Sequence, residues 1–161
     1  MDPFMVLGLE PTWALDAQSI RDAQRRAAMR WHPDRVADPA GRAEAASRVA
    51  RVNEAATQLL DPLSRAQALL DRATPTPRPP EPRPEPAFLM SMVHVREGLD
   101  AGGSERTEAL AELDRIEEAA RRDAASCLAS LQPADAAGWI AAAEAVGRLR
   151  AVRRAREAVH A

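Results

Sequence analysis

Apolar residues recur along this chain at helical spacing, and the polar residues between them carry the capping and breaking signals that divide it into helices. Residues 2 to 8 form a first short helix: Asp2 caps it, Pro3 suits the first helical position, Phe4, Leu7 and Leu9 supply apolar contacts, and Gly8 ends it. Leu15 and Trp13 anchor the connection that follows, and Asp16 caps a second helix. In that helix Ile20, Ala23, Ala27 and Trp31 fall at i, i+3, i+7 and i+11 and make one apolar stripe. Arg21, Arg25, Arg26 and Arg30 occupy the remaining arc, with Asp22 placed to pair with Arg26, so the outer face is basic. A third helix is expected from near Gly41 to Ala43 through Leu60, with Ala45 or Ala46, Val49, Val52, Ala56, Leu59 and Leu60 turned toward helix two. Asp61-Pro62 opens a fourth, whose apolar side is Leu63, Ala66, Leu69 and Leu70.

Residues 74 to 86 break the pattern, holding seven of the 13 prolines. Such a stretch favours extended polyproline II and reads as a semi-rigid linker, or alternatively as a proline-motif ligand for another protein. Three further helical patterns follow, over about 87 to 99, 105 to 131 and 134 to 159, separated by Ala101-Gly102-Gly103 and Gln132-Pro133, with Ser104 as a candidate cap. Leu89, Met92, Val93, Val95 and Leu99 are the apolar candidates of the first. Leu110, Leu113, Ile116 or Glu117, Ala120, Ala124, Cys127 or Leu128, and Leu131 track one face of the second. Trp139, Ile140, Ala143, Val146, Leu149 or Arg150, and Val152 are expected inward on the third. Short connections imply antiparallel neighbours. The expected architecture is therefore all-α: an N-terminal helical module over residues 1–73, a linker over 74–86, and a C-terminal three-helix bundle over 87–161, the two modules loosely docked.

Composition narrows the function classes. With 22 basic against 24 acidic residues the formal charge is −2, so no bulk attraction to nucleic acid or an acidic membrane is implied. Cys127 is the single cysteine, which excludes an intrachain disulfide and a cysteine-cluster metal site and favours a reducing compartment. No apolar run approaches the roughly 20 residues of a membrane span and no start resembles a signal peptide, so a cytoplasmic protein is expected. His32, His94 and His160 lie far apart with no paired carboxylate or cysteine spacing, so neither a metal nor another cofactor is expected.

The chemistry concentrates in Trp31-His32-Pro33-Asp34-Arg35. Pro33 fixes φ and removes a donor, so the second helix cannot run through it, and His32 and Asp34 are presented at a loop tip. An exposed turn with no nucleophile and no desolvating pocket gives no basis for catalysis, so no enzyme is expected. His32-Pro33-Asp34 between an arginine-rich helix and Val52-Asn53-Glu54-Ala55, followed by Asp61-Pro62-Leu63-Ser64-Arg65-Ala66, resembles the J domain of DnaJ-type co-chaperones. The resemblance implies that Asp34 offers its carboxylate to an arginine of a 70-kDa heat-shock chaperone. His32 and Pro33 would hold it rigid, while Arg21, Arg25 and Arg26 steer the encounter and the chaperone's ATP hydrolysis is stimulated.

The second module carries a further likeness. Ala87-Phe88-Leu89-Met90, Arg96-Glu97-x-Leu99, the opening Met1-Asp2-x-Phe4-x-x-x-Gly8-Leu9, Pro62-Leu63-x-Arg65-Ala66-x-x-Leu69-Leu70 and Arg148-Leu149-Arg150 resemble the HscB family, the J-type co-chaperones of iron–sulphur cluster assembly. That resemblance implies an HscA/DnaK-type chaperone partner and an IscU-type scaffold as client. The client would be gripped by Leu89, Met90 and Val93 with Glu97 and Arg96 beside them. Those apolar residues, with Met92 and Val95, encircle most of their helix, so some must face solvent. The chain departs from the family where His94 takes an acidic position and Ala151 an aromatic one, and in its proline-rich linker. A J protein with a different client and an inert helical adaptor are the competing readings.

Overall fold

The computed structural model describes residues 1–159, apart from the side chain of Arg35. Among them there is no strand: seven α-helices and one 3-10 turn account for the regular structure, and no helix is long and apolar enough to cross a membrane. The chain divides into two compact units, Met1–Arg72 and Ala73–Ala161.

In the first unit, helices begin at aspartates. Asp2 accepts from the Phe4 N–H at 2.9 Å to start α1 (Pro3–Leu7), which ends at Gly8 in the left-handed region, φ 64°. Asp16 accepts from the Ser19 N–H at 2.8 Å to start α2 (Ala17–Arg30). Asp38 accepts from the Gly41 N–H at 2.8 Å, so α3 is Pro39–Leu60 and starts before the expected Gly41. The Asp-Pro pair there is the same cap-plus-first-turn signal as Asp61-Pro62, where Asp61 accepts from the Ser64 N–H at 2.9 Å and opens α4 (Pro62–Ala73).

Helices α1, α2 and α3 pack on one another around Phe4, Ile20, Ala23, Val52, Ala56 and Leu59, all buried. Ala27 and Trp31, at the C-terminal end of the α2 stripe, are only half-buried. Gln24 on α2 donates to Asn53 on α3 at 2.9 Å, a polar staple across the hairpin. Arg65 on α4 donates to the Leu59 carbonyl at 2.9 Å, one of the carbonyls left open at the end of α3. Its guanidinium also lies 5.1 Å from the ring centre of Trp13, so both halves of that loop contact are internal. Burial lowers the Arg65 pKa, with Asp61 opposing. Arg72 pairs with Asp2, tying the last turn of α4 to the cap of α1.

In the second unit, α5 (Pro86–Ala101), α6 (Gly103–Ser130) and α7 (Ala136–Val159) pack as a three-helix bundle. One buried residue from each, Val95, Leu113 and Val152, forms a core cluster flanked by Phe88, Met92, Leu99 and Ile116. The α5–α6 joint is a single residue, Gly102 at φ 79°, followed by Gly103 at φ 58°; Ser104 lies inside α6 and is not its cap. A β-carbon on Gly98 would stand 2.8 Å from that of Ala109, so α5 and α6 meet there at backbone contact. α7 starts at Ala136, its first turn closed by Asp135 accepting from the Gly138 N–H at 3.0 Å.

Trp139, Ala142, Ala145, Val146 and Val152 are buried on α7, whereas Ile140, expected inward, is 38% exposed. Arg156 and Arg148 bridge α7 to α6. Arg156 reaches Asp114 and, at 2.9 Å, Glu117, while Arg148 reaches Asp123 at 3.1 Å. Asp114 and then Glu117 raise the Arg156 pKa against the cost of burial. The proline-rich segment belongs to this second unit. Pro75 is buried, the Arg78 guanidinium lies 5.4 Å from the Trp139 ring centre, and Glu81 pairs with Arg150 at 3.5 Å.

Candidate functional site: a loop tip and an exposed helix face

The tip is built by the collision of a helix with a proline. α2 ends at Trp31, His32 is extended as a residue before proline must be (φ −64°, ψ 127°), and Pro33–Arg35 make one 3-10 turn. The His32 side chain caps that turn: Nδ1 accepts from the Asp34 N–H at 3.3 Å. The same Nδ1 stands 3.6 Å from Asp34 Oδ2. The two contacts ask for opposite protonation of one atom, and 3.6 Å exceeds hydrogen-bond length. The backbone contact therefore defines the turn. It leaves the Asp34 carboxylate 87% exposed, with no ion pair other than the long one to His32 among the described side chains. Trp31 is held by two cations, with Arg48 of α3 at 3.9 Å and Arg30 at 5.5 Å from its ring centre. Trp31 and Arg48 thus fix the base of the tip, a role the sequence pattern did not single out; an aromatic residue two positions before Pro33 and an arginine on the facing helix were the available signals.

Arg21, Arg25 and Arg26 are all exposed on α2, but they are not equivalent. Arg25 pairs with Asp22, i,i+3, where the sequence suggested Arg26. That bond, then one from Gln18, holds the Asp22 carboxyl below the usual range. Arg21 and Arg26 make no side-chain ion pair among the described residues.

On α5 the core contacts sort the apolar residues. Phe88, Met92, Val95 and Leu99 turn into the bundle, which leaves Leu89, Met90 and Val93 at 48%, 55% and 47% exposure on the far side. Glu97 lies one turn beyond Val93 and is exposed, as is Arg96, which stands 4.0 Å from Asp100. His94 is exposed next to the patch, and Ala151 is half-buried on α7. No group of three or more potential metal ligands occurs among the described residues, and His160 lies outside them.

A helical hairpin closed by an exposed His-Pro-Asp turn, with a basic helix leading into it, defines the class as a J-domain protein, and residues 2–68 match the DnaJ domain family. Residues 84–160 match the family described as the HSCB C-terminal oligomerisation domain. The chain belongs to the HscB family of co-chaperones. It is 39% identical over 133 residues to the co-chaperone protein HscB homolog of Bordetella petrii, covering 81% of this chain and 78% of that one. It is 31% identical to the homolog of Vibrio vulnificus over 93% of this chain and 90% of that one. The structure of chaperone HscB from Vibrio cholerae is similar at a TM-score of 0.71 and 26% identity, over 99% and 96% of the two chains. Human co-chaperone HscB shares the fold at a TM-score of 0.78 and 16% identity, over 99% and 81%.

Proposed function

We propose that this protein is a targeting co-chaperone of iron–sulphur cluster assembly that performs no covalent chemistry itself. Residues 1–73 act on an HscA/DnaK-type chaperone, residues 87–161 hold an IscU-type scaffold, and residues 74–86 join them. The observation that carries the reading is the Asp34 carboxylate, held out on a one-turn 3-10 helix and 87% exposed. A carboxylate preorganised in this way loses little entropy when a partner arginine closes on it. Such a charge-assisted contact contributes about 1.5–3 kcal/mol. Arg21 and Arg26, with the half-neutralised Arg25, supply salt-sensitive steering toward an acidic surface on the chaperone. Leu89, Met90 and Val93 supply the apolar grip on the client, with Glu97 and Arg96 setting its polar rim.

The departures at His94 and Ala151 favour one second reading, a J protein of this family with a different client. The test is the steady-state ATPase of the chaperone with wild type and with Asp34→Asn. Stimulation by the first and none by the second supports the reading. Equal stimulation by both removes Asp34 from it.

A further inference from the structure

Behind the tip, two grooves of the first unit meet. One, of about 280 Å³, lies between α1 and α2 and is lined by Met5, Val6, Ala27, Arg26, Arg30 and Trp31 among others. The other, of about 260 Å³, includes Val6, Trp31, Arg48, Arg51 and Val52. They share Val6 and Trp31, so together they make one trough with an apolar floor and four arginines on its rim. No acidic residue lines either groove. Arg26 and Arg51 make no side-chain ion pair among the described residues, Arg30 only stacks on Trp31, and Arg48 pairs with Glu44 of its own helix at 2.6 Å. Met5, 77% exposed, stands at the edge without a packing role. A flexible, polarisable side chain at such an edge suits a surface that moulds itself to a partner.

We infer that this trough docks an extended acidic segment with aliphatic side chains, supplied by the chaperone whose arginine engages Asp34. Charge selects the chemistry: Arg26, Arg30 and Arg51 around an apolar floor, with Arg48 already paired to Glu44, repel a basic chain and recover their desolvation cost best against carboxylates. Position selects the source. The two grooves join at Trp31, the residue next to His32, so a chaperone seated on the tip has its neighbouring chain within reach. The inference rests on the proposed chaperone role and extends it from the Arg21, Arg25 and Arg26 face, past the shared Arg26, to a surface of α1 and α3.

The full chain has three tryptophans, so its three indole N–H resonances can be followed by NMR, with Trp31→Phe assigning one and buried Trp139 as internal control. The probe is a short synthetic peptide alternating aspartate and leucine, compared with its asparagine–leucine isostere. The expected result is a shift of the Trp31 indole by the acidic peptide, with about tenfold weaker affinity for the isostere and for the Arg30→Gln/Arg51→Gln variant. No Trp31 shift, or shifts indifferent to these charges, overturns the trough as an acidic-chain site. In the chaperone ATPase assay the same double variant should raise the concentration for half-maximal stimulation about tenfold and leave the maximum unchanged. Asp34→Asn should abolish the maximum instead. Half-saturation unmoved by the double variant overturns the chaperone as source of the segment. Absence of any stimulation by wild type refutes the co-chaperone role, while the peptide titration still decides the trough.

Discussion

Two positions apart on α5, Val93 and Val95 should fail in opposite ways. Fully burying a valine, leucine or methionine side chain contributes about 1.5–3 kcal/mol. Leu89 and Val93 keep 48% and 47% of their surface exposed, so a client that covers both gains about 1.5–3 kcal/mol from the remaining half of each. Leu89→Ala with Val93→Ala should therefore weaken client binding by about tenfold or somewhat more and leave most of the folding free energy in place. Val95 is 2% exposed and packs with Leu113 and Val152. Val95→Ala loses its transfer free energy and leaves a cavity, about 2–3 kcal/mol, which lowers the melting temperature of a unit this size by about 10 °C. The assay is thermal unfolding by circular dichroism, with titration of an IscU-type scaffold onto each variant by calorimetry. If the double variant melts as low as Val95→Ala, the α5 face is structural. If it melts normally and binds the scaffold undiminished, the client site lies elsewhere.

Three further outcomes follow from local geometry. Trp31→Ala removes the shelf under Arg48 and Arg30 and should lower the stability of the first unit by about 1 kcal/mol or more, read by urea unfolding; no change would mean that the stack contributes nothing. Asp16 has its pKa lowered by the Ser19 hydroxyl and backbone N–H, so its contribution is complete above the unfolded aspartate value and vanishes as pH falls through the lower folded value; Asp16→Asn should flatten the acid limb of a stability–pH profile below about pH 4, and an unchanged limb contradicts the assignment. Arg78→Ala removes the cation over Trp139 and should shift the Trp139 indole N–H resonance without lowering the melting temperature of the bundle; an unchanged resonance would show that Arg78 does not stack there.

Local signals were legible in the sequence and cross-chain ones were not. Aspartate caps act within three residues, which is why Asp2, Asp16 and Asp61 could be read directly; Asp38-Pro39 carries the same signal, and α3 starts there rather than near Gly41 to Ala43. The His-Pro-Asp tip is equally local, because proline alone ends the helix there. On α7 the many alanines allow several stripes at once, and the choice of Ala142 and Ala145 over Ile140 as inward residues is made by packing against α6. Long-range polar pairs such as Gln24 with Asn53, or Arg48 over Trp31, depend on which helix faces which. The exposure of Leu89, Met90 and Val93 was half legible: more apolar residues than one face could bury announced a surplus, and only the core contacts show which three are left out.

The central claim, that one chain couples a chaperone to a scaffold, is tested most directly by the chaperone's steady-state ATPase with this protein and an IscU-type scaffold added singly and together. The account predicts stimulation by this protein, a larger effect than the sum when the scaffold is present, loss of both with Asp34→Asn, and loss of the synergy alone with Leu89→Ala/Val93→Ala. A rate indifferent to the scaffold, or synergy that survives in the Asp34→Asn variant, would contradict it.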